Sequence, residues 1–303
     1  MGYSDYEKVI IKPLVYSDIF DFPLTKSELW KFLISSKAIK KTDFENALNT
    51  SINKHISYID GYFCLKGREK IIAERKNNLK EVSKKLLIVG KTAEYLAAIP
   101  SVLLIGISGG LAIGDVNQED DIDFFVITKK GKLFETRLWI LIILQALGLR
   151  RKRLDKNTAD KICVNLLVDE TKIKWSEKSR DIYTAHEILQ MKPLFERNNT
   201  YAKFIKENDW IKSFFPNIQV LNEEKSWKVE SKINSILSIL MRFLSNLPLE
   251  NFIRLLQTSY MHRHMDGEII EKHALFFHPK DYRAQTIRRL NLKLQDLGLL
   301  TKF

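Results

Sequence analysis

Between Ser101 and Thr128 the chain reads SVLLIGISGGLAIGDVNQEDDIDFFVIT, an order that constrains the fold more than any other stretch. Val102 to Ile107 is a run of apolar, largely β-branched residues, the pattern of a buried strand. Ser108-Gly109-Gly110 marks a tight turn, and Leu111-Ala112-Ile113 offers a short helix after it. A polar loop follows, and Asp121-Ile122-Asp123 leads into a second apolar strand, Phe124 to Ile127. Side chains alternate across a strand, so Asp121 and Asp123 share one face and Ile122 takes the other. Two carboxylates on one face beside a glycine turn suit metal-assisted phosphate chemistry: the carboxylates hold Mg²⁺, and backbone N–H groups of the turn meet a phosphate. The plainer reading is an ordinary strand-turn-strand unit with an acidic edge.

The chain has 303 residues, 45% of them hydrophobic and 28% charged, which predicts a soluble globular protein of two or three domains. Its net charge of +12 favours anionic partners, nucleotides or nucleic acid, although the basic residues are dispersed. The two cysteines, Cys64 and Cys163, are isolated, with neither a disulfide framework nor zinc spacing, so the expected compartment is the reducing cytoplasm. The opening MGYSDYEKVIIKP has no signal-peptide core. The most apolar segment, Leu138 to Leu149, is shorter than the roughly 20 residues a membrane helix needs, so no membrane association is expected.

Residues 1–87 read as a small helical unit ending in a hairpin, followed by a connector helix. Glu7 to Phe20 has helical periodicity interrupted by Pro13, which leaves one helix or two. Thr25-Lys26-Ser27-Glu28 and Thr42-Asp43-Phe44-Glu45 both match the capping box that opens a helix. Two short apolar runs flank Asp60-Gly61, a dipeptide that favours a two-residue hairpin turn. Helices followed by a hairpin resemble a winged helix-turn-helix. Its would-be recognition helix carries Asp43, Glu45, Asn46, Asn49 and Asn53 without an internal Arg or Lys, which supports DNA contact only weakly. Gly67 to Lys91 is basic and helical, expected as a solvated connector, with a separate helix over Thr92–Ile99.

Beyond the second strand, Leu133 to Ala146 predicts a buried helix, and Arg150-Arg151-Lys152-Arg153 follows it. Those cations suit either a triphosphate or RNA, or simply a helix C-terminus. Ile162 to Val168 reads as a strand whose one polar residue is Asn165. Asp169 lies some ~13 Å further along an extended strand, and Asp160 sits on the preceding loop. Residues 176–303 read as mostly helical, with helices over Asp181–Lys192, Thr200–Phe215 and Val229–Leu247. Trp175, Tyr183, Trp210 and Trp227 are expected as core or interface aromatics. His262, His264, His273 and His278 cluster in sequence, and a zinc site would need the fold to gather them.

The strand, the Gly109-Gly110 turn, Gly114 and the Asp120-Asp121-Ile122-Asp123 strand start resemble the signature of the DNA polymerase β-like nucleotidyltransferase superfamily, over roughly Ile88 to Trp175. The resemblance implies an α+β architecture with a small mixed-sheet nucleotidyltransferase core at 88–175, preceded by the winged-helix-like unit of 1–87 and followed by a helical region at 176–303. It implies transfer of a nucleoside monophosphate from a nucleoside triphosphate to an acceptor hydroxyl. Asp121 and Asp123 would hold Mg²⁺ or Mn²⁺, and Ser108, Gly109 and Gly110 would cradle phosphates. Asn165 would stand where that superfamily carries its third carboxylate, and its amide can ligate but cannot act as a base. The acceptor stays open among small molecules, proteins and RNA. The alternative is a catalytically weak or inactive nucleotide-binding regulator that uses the N-terminal unit for DNA or protein contact.

Overall fold

The structure, a computed structural model, describes residues 3–152, 155–218, 241, 243, 248–264, 269–277 and 282–299. It is an α+β fold with two sheets. The N-terminal unit comprises α1 (Asp5–Asp18), β1 (Leu24–Thr25), α2 (Lys26–Lys31), α3 (Lys41–Ser51) and the hairpin β2 (Ile56–Ile59) and β3 (Tyr62–Leu65). β3 lies between β1 and β2, antiparallel to both.

Local sequence accounts for most of this unit. Ser4 and Glu7 form a reciprocal capping box at the start of α1, and Thr25 and Glu28 form another at α2. Pro13 sits inside α1 without ending it. An internal proline costs about 3 kcal/mol, which the near-complete burial of Ile10, Ile11, Leu14 and Val15 outweighs at about 1.5–3 kcal/mol each. The Thr42–Glu45 box does not form: α3 begins at Lys41 with no side-chain cap, and the Glu45 carboxylate pairs with Lys26 Nζ at 2.8 Å. Asp60 and Gly61 both take positive φ, 52° and 87°, as the predicted two-residue turn requires.

α4 (Lys70–Leu96) is one helix of 27 residues, not a connector followed by a second helix. Nor is it a solvated spacer. Arg75 binds both oxygens of Glu28 and lies over the rings of Phe22 and Tyr62, 4.0 and 4.8 Å from their centroids. Lys85 is fully buried, with Nζ 2.7 Å from the Asp120 carbonyl and 2.9 Å from the Asp160 carboxylate.

The second sheet has six strands: β4 (Val102–Ile107), β5 (Ile122–Thr128), β6 (Ile162–Asp169), β7 (Lys192–Glu196), β8 (Ile269–Ile270) and β9 (Ala274–Phe276), in the order β7-β4-β5-β6-β9-β8. β5 and β6 are parallel, and every other pairing is antiparallel. α5 (Gly109–Ile113) joins β4 to β5, α6 (Leu133–Ala146) lies between β5 and β6, and α7 (Ile182–Gln190) precedes β7, which leads to α8 (Thr200–Glu207). The stretch read as mostly helical thus supplies three strands, and β7 and β9 pair with β4 and β6.

Alternation along β5 divides the sheet's two faces. Ile122, Phe124 and Val126 pack with Val89 and Leu96 of α4 and Phe134, Ile140 and Leu144 of α6. Phe125 and Ile127 face the other way, toward Ile188 and Leu189 of α7, Phe204 of α8 and the apolar residues of α1. One continuous apolar cluster therefore joins the N-terminal unit to this second face. Trp175 belongs to it, against Phe125, Phe204 and Phe276. Among the described residues no helix is long and apolar enough to cross a membrane. The Val229–Leu247 stretch lies outside the described residues except for 241 and 243, as do Trp227 and His278.

Candidate active site

The strand-turn-strand unit brings its acidic residues and glycines together. Ile122 is fully buried in the core, so the period of two turns Asp121 and Asp123 to the opposite face. A ligand oxygen from each and the Cys163 sulfur all lie within 4.8 Å of one another. Cys163 arrives because β5 and β6 run parallel with Asp123 opposite Cys163.

The glycine turn closes directly on this cluster. The Ser108 N–H donates to the Asp123 carbonyl at 3.0 Å, fixing the end of β4 to the start of β5. Gly109 has φ +62°, and a Cβ there would stand 2.6 Å from Asp123 Oδ2. A Cβ at Gly110 would stand 2.3 Å from the Asp115 carbonyl oxygen, whose own N–H donates to the Gly110 carbonyl at 2.9 Å. At Gly110 the close approach of the Asp115 backbone demands glycine, while at Gly109 the positive φ favours it and a Cβ would have to displace the Asp123 carboxylate.

Electrostatics at the pair are strained. Burial, reinforced by the neighbouring Asp121 charge, pushes the Asp123 carboxyl up to about 7, while Arg151 opposes the rise. The Arg151 guanidinium is paired with the Asp121 carboxylate. Burial drives the Cys163 thiol up to about 12, so it is neutral near pH 7. On α7, burial raises Glu187 to about 7, and its charge is felt at Asp123 and at Tyr183. Tyr183 itself is raised, first by burial and then by Glu187 and Asp123.

The remaining sequence candidates are placed elsewhere. Asn165 falls at the register shift between Phe124 and Phe125, where β6 carries one extra residue, and its carbonyl accepts the Phe277 N–H at 2.9 Å. The position beside Asp123 goes to Cys163, two residues earlier. Asp160 serves Lys84 and Lys85; burial alone would raise it, but these two hydrogen bonds hold it below the usual carboxylate range. Asp169, at the far end of β6, accepts from Thr171 and pairs with His273 Nδ1 at 2.7 Å. Among the described residues the histidines form no metal-binding cluster.

Sequence reasoning did not place Cys163, Glu187 or Tyr183 at the carboxylates, and named Arg151 only within a basic run that suits a triphosphate, RNA or a helix C-terminus. The basic run after α6 was the signal for Arg151, and an acidic residue within the apolar α7 segment was the signal for Glu187. Comparison with known proteins finds no matching family, no matching curated protein and no matching solved structure.

The donor set suits a hard divalent cation. Mg²⁺ binds through one or two carboxylates and otherwise keeps water or phosphate oxygens. Two adjacent carboxylates with one pKa pushed upward form a site that a cation would relieve.

Proposed function

We propose that this chain is a metal-dependent nucleotidyltransferase of the polymerase β-like kind, which moves a nucleoside monophosphate from a nucleoside triphosphate to an acceptor hydroxyl. The observation that carries the reading is the contact between the Asp123 carboxylate and the Gly109 turn, with Asp121 alongside. Asp121 and Asp123 would hold Mg²⁺ or Mn²⁺, which supplies charge neutralisation at the reacting phosphate and at the attacking and leaving oxygens. Ser108, Gly109 and Gly110 would meet the phosphates from the turn. Arg151 would exchange its carboxylate partner for a phosphate, a group its planar fork binds equally well. Glu187 of α7 couples electrostatically to Asp123 and is itself raised to about 7 by burial, so its charge state responds to what the pair holds. Asn165, neutral and beside the register shift, keeps at most a minor ligating role.

The Arg151–Asp121 pair also favours a second reading, a nucleotide-binding regulator in which the arginine holds the carboxylates apart from any metal. Equilibrium binding of Mn²⁺ and Mn²⁺–NTP separates the two. Wild type should bind Mn²⁺–NTP, and Asp121→Ala and Asp123→Ala should each lose it at least tenfold. Nucleotide binding that is indifferent to Mn²⁺ and to both substitutions would refute the metal reading.

A further inference from the structure

A cavity of about 270 Å³ lies between the N-terminal unit and the sheet, and neither Asp121 nor Asp123 lines it. Its walls come from α1, from the segment around β1 and α2, and from α5 and α7; Tyr16, Phe20, Phe22, Phe32 and Ile113 give it an aromatic and apolar lining. His186 of α7 lines it too, although its side chain is only 2% exposed.

The histidine is unusual in its hydrogen bonding. Its Nδ1 lies 2.8 Å from the Ile182 carbonyl. A carbonyl can only accept, so Nδ1 carries the proton. Burial pushes the imidazole pKa down to about 3, so the ring is neutral and Nε2 is left as a bare acceptor. Among the described residues Nε2 has no hydrogen-bond partner. The ring is clamped flat against Tyr16, with centroids 3.5 Å apart and planes 3° from parallel, and edge-on to Phe215. Of the other polar groups at the cavity, Glu28 is engaged by Arg75 and Thr25 and Ser17 by the Leu14 carbonyl, while Tyr16, Lys31, Gln190 and Lys192 also bring polar atoms to its lining. An acceptor held rigid at the wall of a largely apolar cavity is the kind of polar group that orients a ligand there.

We propose that this cavity binds an uncharged, planar aromatic molecule of one or two fused rings that donates one O–H or N–H hydrogen bond to His186 Nε2. The chemical class is that of a phenol or an indole. The rings would lie among Tyr16, Phe20, Phe22 and Phe32, and the donor would point at the imidazole. This inference is independent of whether the carboxylate pair catalyses nucleotidyl transfer, since α5 and α7 present different residues to the two places.

The test uses the full chain and two probes of nearly equal shape, 2-naphthol and naphthalene, with binding read by calorimetry and probe fluorescence. Wild type should bind 2-naphthol about tenfold more tightly than naphthalene, the ratio expected for one satisfied hydrogen bond. His186→Phe should bind both alike. Ile113→Trp, a half-buried wall position, should remain folded by circular dichroism and bind neither. The proposal is overturned if wild type binds neither probe, if the naphthol preference survives in His186→Phe, or if folded Ile113→Trp still binds both.

Discussion

Gly109 and Asp123 touch across the turn between β4 and β5: the carboxylate fills the space a Cβ would need, at 2.6 Å from its Oδ2. This contact ties the glycine to the chemistry. Gly109→Ala must both adopt φ +62° and displace the carboxylate. The backbone cost is about 1–2 kcal/mol, readable as a lower urea midpoint, and Mn²⁺ affinity should fall at least tenfold. A Gly109→Ala protein with unchanged metal affinity would show that the carboxylate's position against the turn is immaterial.

Arg151 neutralises Asp121 in the absence of a cation, so the guanidinium and a divalent ion compete for one carboxylate. The pair is partly exposed, at 40% and 21% for the two side chains, and such pairs contribute about 0–1 kcal/mol. Arg151→Met should therefore tighten binding of free Mn²⁺ by up to about fivefold, while weakening binding of Mn²⁺–NTP because the phosphate partner is gone. Equal effects on both ligands would contradict this division.

The pH dependence follows from Asp123, whose pKa rises from 3.8 to about 7 on folding. Between those values the folded state binds more protons than the unfolded one, so this group's contribution is fully present below about pH 4 and is lost as pH rises through 7. Asp121, Asp120 and Glu187 add to the rise, and Arg151 opposes it. Measured in EDTA, Asp123→Asn should be more stable than wild type at pH 8, and the difference should shrink steadily toward pH 5. Mn²⁺ affinity of the wild type should fall below pH 7 as the carboxyl protonates. A constant stability difference across pH 5–8 would rule the shift out.

Lys85 anchors the loop that carries the aspartates. Removing one partner of a buried pair costs about 3–5 kcal/mol, and Asp160 keeps Lys84 and some solvent, which lowers the expected loss for Lys85→Ala to about 2–3 kcal/mol. Lys84→Ala, at a half-exposed side chain, should cost less than about 1 kcal/mol. Urea unfolding of the two variants checks the ordering, and a reversed order would return α4 to the role of a solvated basic helix.

How far the sequence disclosed this arrangement depends on the range of the interactions. The strand-turn-strand unit was legible because apolar runs, glycines and alternating aspartates encode it within 28 residues. The Asp60-Gly61 hairpin and the Thr25 cap were legible for the same local reason. β7 was hidden by Pro193, which reads as a helix stop; as the edge strand it can spare an N–H. The residue beside Asp123 was hidden because Asn165, the one polar residue of its strand, drew the assignment that the resemblance implies, whereas the parallel pairing of β5 and β6 sets Cys163 opposite Asp123. Arg151 and Glu187 lie 30 and 66 positions from Asp121, and no periodicity reports such tertiary pairings. Lys85 looked like one solvated cation among many, because burial of a lysine depends on partners, Asp120 and Asp160, brought in from other segments.

The most direct test of the account is transfer of label from α-labelled nucleoside triphosphates, with Mg²⁺ or Mn²⁺ and cell extract as the source of acceptor. Wild type should incorporate label, and Asp121→Ala/Asp123→Ala should not. Label incorporated equally by wild type and the double variant, or by none of the proteins with any nucleotide, would contradict the assignment of these carboxylates to nucleotidyl transfer.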